Sequence, residues 1–329
     1  MDKNSFTYGM ILLCMAAFAV IVAKGLVTPQ PGDENVYYYM ARLISEGKVP
    51  YRDFFYAHPP LHAYVLAFFY KIFGFNIAVL KSLPLILNFI SAFFVFEIAR
   101  KKSGNAGAIA SFLLFLFSYS VMFNSVFSFG TELAVVFLAA GAYFLWNKNS
   151  HILSGLFFGL AATTRLLSLL PITTIIAMVF LSSKRDFMKL SSAFFAVFLF
   201  VNGLFFAVSG DGYLNQVYRF HLLKSYSGAE NFSEYMDIAK LNWILFLSAA
   251  LFVFVKEKKQ IGVFAAVSVI YLMFLIPLKK IFGFYFLIAF PFLAVMGGCS
   301  ITRIFDSLSQ SKRLRIFFSL AFLSVFMWN

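Results

Sequence analysis

Apolar stretches long enough to cross about 30 Å of hydrocarbon recur along the whole chain, separated by short polar breaks. In lipid such stretches must be helices, because each backbone amide needs an internal partner, and the alternating segments of a membrane barrel are absent. The pattern predicts eleven spans, near residues 8–27, 76–99, 106–124, 131–147, 152–165, 166–182, 190–208, 241–255, 261–277, 281–299 and 316–329. One helical stretch has a different pattern. From Asn35 to Glu46 the apolar residues Val36, Met40, Leu43 and Ile44 recur at helical spacing among polar ones, which predicts a helix lying along the membrane surface.

The segment from Leu61 to Phe73 sets the topology. It is apolar, but as a helix it is only about 20 Å long, and Pro59 and Pro60 before it suit a helix start. If it crossed the membrane, the basic clusters that follow would contradict Lys3 at the N-terminus. Taken as interfacial or re-entrant, it brings Lys3, Arg100 to Lys102, Lys148, Lys184 with Arg185 and Lys189, Lys256 with Lys258 and Lys259, and Arg303 with Lys312, Arg313 and Arg315 to one side. The expected arrangement is a single transmembrane domain over residues 1–329, all-α and multi-pass in the cell membrane. Its N-terminus is cytoplasmic, and it has two outer loops, 28–75 and 209–240. The run from Ile316 to Trp328 is either a short final span or a sign that the chain continues beyond the given sequence.

Composition strengthens this picture. Of 329 residues, 61% are hydrophobic, 47 are Phe and 12% are charged, so a soluble domain is excluded. The net charge of +13 lies in short clusters at the ends of apolar runs, a membrane-orientation pattern and not a nucleic-acid surface. Cys14 and Cys299 both fall inside apolar runs and suggest neither a disulfide nor a metal knuckle.

The candidate chemistry gathers in the first outer loop. Asp33 and Glu34 open the surface helix; spacing alone favours a helix cap with dipole-favoured acid, and this is compatible with a carboxylate held where a lipid-borne substrate meets a water-borne one. Lys81, Arg165, Arg219, Lys224, Lys279 and Lys280 fall at or near the outer face, against the orientation bias. A lipid phosphate would account for them, and snorkelling helix ends are the alternative. Arg165 stands apart because it lies in an apolar stretch at an expected helix break. His58 and His62 are four residues apart but lack a third metal ligand. Tyr37 to Tyr39 read as interfacial anchors, and Glu132 reads as either an acceptor contact or a capping charge.

The run from Gly32 to Gly74, GDENVYYYMARLISEGKVPYRDFFYAHPPLHAYVLAFFYKIFG, closely resembles the first outer loop of polyprenyl-phosphate-sugar-dependent glycosyltransferases of the protein O-mannosyltransferase and aminoarabinose transferase type. The shared elements are an acidic pair (Asp33, Glu34), a surface helix, a Gly-x-x-Pro-Tyr-x-Asp turn (Gly47, Pro50, Tyr51, Asp53) and a Pro-Pro-Leu helix start (Pro59, Pro60, Leu61). Weaker echoes are GLAATTR ending at Arg165, VYRFHLL around His221 and KKIFGFYFLIAFPFL around Tyr285.

The resemblance implies a GT-C-like helical transferase with its active site on the outer face. It would take a sugar from a polyprenyl phosphate (dolichyl or undecaprenyl) to a protein, lipid or glycan acceptor. The family role of catalytic base carries onto Asp33, with Glu34 as second candidate. Arg165, Lys81, Lys279 and Lys280 would hold the donor phosphate, and Tyr51, Asp53, His58, Glu132, His221 and Tyr285 are substrate contacts. No metal site is assigned; no cofactor is certain, and room is left for a divalent metal. The given sequence does not reach the further spans and soluble C-terminal domain usual in the family, so the resemblance carries no expectation for acceptor recognition. A lipid or sugar transporter or flippase is the rival reading, but it favours ionisable groups at mid-membrane and an inverted repeat. A non-catalytic scaffold is a third.

Overall fold

A computed structural model describes residues 3–28, 32–223, 228–255, 258 and 260–308. Among these the chain is helical, with one isolated bridge between Pro50 and Phe54. The helices are α1 (Lys3–Val27), α2 (Asp33–Ser45), α3 (Leu61–Phe73), α4 (Ile77–Leu116), α5 (Tyr119–Asn124), α6 (Thr131–Trp146), α7 (His151–Ala162), α8 (Leu169–Ser182), α9 (Lys184–Ser209), α10 (Asp211–Leu214), α11 (Phe220–Leu222), α12 (Gly228–Leu241), α13 (Trp243–Ala250), α14 (Gly262–Leu275) and α15 (Phe290–Leu308). A π-helical turn, Asn215–Arg219, joins α10 to α11.

The protein is a multi-pass membrane protein. Among the described residues three helices are long and apolar enough to cross on their own, within Thr7–Val27, Ile77–Leu116 and Lys184–Ser209. Gly228–Leu241 with Trp243–Phe254 is a further candidate, bent by 80°. The helices Thr131–Trp146, His151–Ala162, Leu166–Ser182 and Gly262–Leu275 are apolar but shorter, so they do not each match one of the eleven expected spans by length alone. The expected last span, 316–329, lies outside the described residues.

Helix α4 takes in the expected span 76–99 and the first part of the expected span 106–124, which ends in α5. Forty residues of unbroken helix would reach about 60 Å, twice the hydrocarbon thickness. The helix breaks at Ser103 and Gly104, whose φ of 67° suits a residue without Cβ. The chain reverses there: Phe89 and Phe117 both pack edge-on against Phe18 of α1, and Asn88 donates to the Ser125 hydroxyl at 3.0 Å.

Small residues bring the spans together, as expected where lipid gives no hydrophobic drive to helix association. Gly155 and Gly159 sit one turn apart on α7. A Cβ at Gly155 would meet the Leu190 carbonyl of α9 at 2.3 Å, and one at Gly159 would meet Val197 at 2.6 Å. On α15, a Cβ at Gly298 would meet the Ser111 amide of α4 at 2.4 Å.

Arg100 and Lys101 of one basic cluster and Arg303 of another are joined to helix ends near one another. Arg100 donates to the Tyr8 hydroxyl, Lys101 to the Trp146 and Asn147 carbonyls, and Arg303 to the Lys102 carbonyl and the Gln260 side chain. His151 lies 3.7 Å from Asp186 at the starts of α7 and α9. This is the relative arrangement that the charge pattern predicts.

Helix α3 spans the expected residues and packs against α2. Buried residues fall at helical spacing on both, Glu34, Tyr37, Tyr38 and Ala41 on α2 and His62, Ala63, Leu66 and Ala67 on α3. The apolar ones among them, together with Tyr51, Tyr56, Leu80, Leu83, Tyr213 and Val217, form a second core, separate from that of the bundle. This corrects one expectation. Tyr37 and Tyr38 face inward and are not interfacial anchors, whereas Tyr39 and Val36 are exposed.

Candidate functional site

A cavity of about 480 Å³ opens where α8, α14 and the segments around residues 58, 221 and 280 meet, lined by His58, Arg165, Leu166, Leu169, Leu170, His221, Lys279, Lys280 and Tyr285 among others. Six residues singled out in the sequence therefore come together, although they are spread over more than two hundred positions. Its remaining walls are largely apolar, with Leu167, Leu222, Phe274, Pro277 and Leu278. A second apolar groove of about 400 Å³ shares Thr173 with it and runs between α8 and α14 past Ala177, Met178, Leu181, Ala266 and Ile270.

Arg165 occupies the break between α7 and α8 as predicted. Its backbone is extended (φ −143°, ψ 124°) between the end of α7 and a single 3-10 turn at Leu166–Ser168. The side chain is 5% exposed, with its guanidinium carbon 6.0 Å from the Tyr37 ring centroid and 5.8 Å from that of Phe284. Nε and Nη2 are buried and find no hydrogen-bond partner in the protein. Buried N–H donors left unpaired are costly, and on a cation lining a cavity they form a ready anion site.

His58 and His221 stack beside it, with centroids 5.6 Å apart and planes 26° apart. The His58 Nε2 lies 3.0 Å from the Tyr37 hydroxyl, and His221 Nε2 lies 2.7 Å from the Ala57 carbonyl, which requires that nitrogen to be the donor. Burial raises the Tyr37 phenol pKa above its ordinary value, although the nearby Arg165 charge opposes the shift. Tyr37 therefore stays a donor and can hold His58 as an acceptor. Lys279 donates to the Leu222 carbonyl at 2.6 Å, and Lys280 lies 3.4 Å from Glu230.

The acidic pair divides. Asp33 is the first helical residue of α2, with Gly32 as its cap, and its side chain is exposed. It does not cap the helix itself. Asp33 is not among the residues that line the cavity, whereas Tyr37, one turn further along the same helix, packs against the Arg165 guanidinium. Glu34 points the other way. It is 1% exposed and 2.8 Å from the Lys81 Nζ, also 1% exposed, which in turn donates to the Val126 carbonyl at 3.2 Å. Lys81 does not line the cavity, and its charge is already paired.

The other predicted residues brace the loop. The Tyr51 hydroxyl donates to the His58 carbonyl at 2.7 Å, and the Gln216 side chain ties the Tyr51 carbonyl (2.9 Å) to the Tyr56 amide (2.8 Å). Tyr51 has a positive φ of 71°, and its carbonyl leaves no room for a Cβ at Gly212. Asp53 accepts from the Val49 amide at 2.7 Å and pairs with Arg52; these contacts lower its pKa to about 2. Arg219 donates to Asn215. Glu132 is buried at the start of α6, held by local backbone amides with one oxygen unpaired, and does not line the cavity. His62 meets the Ser128 hydroxyl at 3.3 Å. No group of three metal-ligating side chains occurs among the described residues, and Lys224 lies outside them.

Sequence reasoning missed Gln216, Phe284 and the inward role of Tyr37. The helical spacing of Glu34, Tyr37, Tyr38 and Ala41 carried a signal for the last, since it sets one acid on the buried face and leaves its neighbour off it.

Residues 57–209 match the family model of dolichyl-phosphate-mannose-protein mannosyltransferases. No curated protein matches the chain in sequence. The fold is that of ArnT from Cupriavidus metallidurans. The crystal structure of that protein bound to undecaprenyl phosphate superposes with a TM-score of 0.72 at 16% identity, over 90% of this chain and 60% of that one. Its apo structure gives 0.69 at 15% identity, over 91% and 61%. The chain thus spans about three fifths of the length of those structures. The family model begins at residue 57 and takes in the Pro-Pro-Leu helix start of the first loop, and the likeness to ArnT is one of fold.

Proposed function

We propose that the protein is a membrane glycosyltransferase that moves a sugar from a polyprenyl phosphate carrier to an acceptor at the outer face of the membrane. The observation that carries this reading is Arg165, a buried guanidinium with unpaired N–H groups in a cavity that combines basic and histidine side chains with a largely apolar remainder. An ionic head on a long apolar tail fits those two features together. The groove from Thr173 between α8 and α14 extends the apolar surface along the bundle, where the first isoprene units would lie. The ArnT structure bound to undecaprenyl phosphate supports a carrier of this class.

In this mechanism Asp33 takes the proton of the acceptor hydroxyl or amine as its heteroatom attacks the anomeric carbon. The bond from that carbon to the phosphate oxygen breaks, its electron pair leaves with the phosphate, and the configuration at carbon inverts. Asp33 then releases the proton to water. Phosphate is a good leaving group, so the protein mainly positions the reactants and neutralises the departing charge. Arg165 supplies that charge, with Lys279 and Lys280 at the rim and His58 and His221 beside it. The basic clusters on the opposite face orient the N-terminus towards the cytoplasm.

The test uses purified protein in detergent with a synthetic labelled polyprenyl-phosphate sugar and a membrane extract as acceptor source. The expected result is release of polyprenyl phosphate with a product of inverted anomeric configuration. Absence of both turnover and binding of free polyprenyl phosphate would defeat the reading.

A further inference from the structure

Lys81 and Glu34 form an ion pair that stands apart from the cavity. Each is 1% exposed, and they come from elements forty-seven residues apart. Three further contacts surround the pair. The Tyr38 hydroxyl lies 3.4 Å from Glu34, Lys81 donates to the Val126 carbonyl, and the Lys81 Nζ sits 5.0 Å from the Phe127 ring centroid. The pair thus pins the first turn of α2 to α4 and to the segment that precedes α6.

That segment continues towards the cavity. The ring of Phe127 stacks on Phe129 at 5.6 Å and 9°, and Phe129 stacks on Phe284 at 4.9 Å and 20°. Phe284 carries the Arg165 guanidinium on its face. One end of this aromatic stack therefore holds Lys81, and through it the residue next to Asp33, while the other holds Arg165.

We infer that the Glu34–Lys81 ion pair is a positioning element that fixes Asp33 relative to Arg165. This rests on the roles proposed above for those two residues. The physical case is that a fully buried ion pair is a poor source of stability; apolar replacements of similar volume often do as well or better. Its distinctive property is direction. A carboxylate locked between an ammonium and a phenol allows one register of the helix end, and a base misplaced by about 1 Å loses on the order of a hundredfold in rate. Glu34 lies on the buried face of the first turn and Asp33 on the exposed side, so fixing one residue aims the other.

The experiment compares Glu34→Gln/Lys81→Met, which removes both charges at once, with Glu34→Asp, which keeps both but withdraws the carboxylate by one methylene. Melting temperature, affinity for free polyprenyl phosphate, kcat and KM for the donor, and hydrogen exchange of the α2 amides are measured. The expected result for the double variant is a near-wild-type melting temperature, phosphate affinity within about twofold, kcat lower by about tenfold or more with KM little changed, and faster exchange at residues 35–38. Glu34→Asp should show the same kcat loss in milder form, and it decides the matter if the double variant does not accumulate. Wild-type kcat in either folded variant, while Asp33→Asn is inactive, would overturn the inference and leave the proposed reaction standing. Full activity of Asp33→Asn would overturn both.

Discussion

The Arg165 guanidinium lies over the Phe284 ring, 5.8 Å from its centroid, with Nε and Nη2 unpaired. An aromatic face attracts a cation but takes none of its directed N–H bonds, so the side chain is held in place while its donors stay available. A phosphate would take them.

Arg165→Gln should therefore weaken binding of polyprenyl phosphate by roughly 1.5–3 kcal/mol, the value of a charge-assisted hydrogen bond, or about 10- to 150-fold. Arg165→Lys should be partly tolerated, because charge remains while the forked geometry is lost. Competition binding with free polyprenyl phosphate measures both. Wild-type affinity in the Gln variant would make Arg165 a structural residue.

Asp33→Asn should reduce transfer by about 10²-fold or more, the usual scale for a general base, with phosphate affinity and membrane insertion unchanged. Glu34→Gln should behave differently, because it strands the buried Lys81 ammonium without a partner. Its deficit should appear first in melting temperature and yield. If Glu34→Gln is stable and inactive while Asp33→Asn is active, the two roles are exchanged.

Sidedness is open to thiol labelling in a Cys14→Ser/Cys299→Ala background. Single cysteines at Ser45 and Ser233 should react with an impermeant reagent in intact cells, and those at Ser103 and Ser183 should not. Labelling at Ser103 would mean that Leu61–Phe73 crosses the membrane.

Packing of α7 on α9 should tolerate no side chain at Gly155. Gly155→Ala brings a Cβ to 2.3 Å from the Leu190 carbonyl, and overpacking of this kind costs about 1–3 kcal/mol. Gly203→Ala on α9 has open space around it and serves as the control. The two should separate in melting temperature in detergent; equal values would show that the α7–α9 contact yields easily.

Much of this site was legible in local sequence, and the rest depends on contacts between distant segments. The bounds of α3 follow from Pro59 and Pro60 before it and Gly74 after it, both local breakers. Arg165 was legible because a charge in an apolar stretch needs a reason wherever the chain goes. Lys81 was misplaced for the same cause: the charge demanded a partner, but the partner, Glu34, comes from another element. Gln216 gave no signal at all, since an amide bridging Tyr51 to Tyr56 is specified by the approach of α10 and its π-helical turn to the first loop. Tyr37 was misread through composition, which cannot tell an aromatic facing lipid from one facing α3.

The tight bend at Ser103 and Gly104 bears on how the protein is made. Two apolar arms joined by two non-helical residues, with Arg100, Lys101 and Lys102 just before the bend, leave no slack for one arm to settle in the bilayer while the other waits outside. Arms joined so closely are expected to enter the membrane together as a helical hairpin, with the basic residues at its tip.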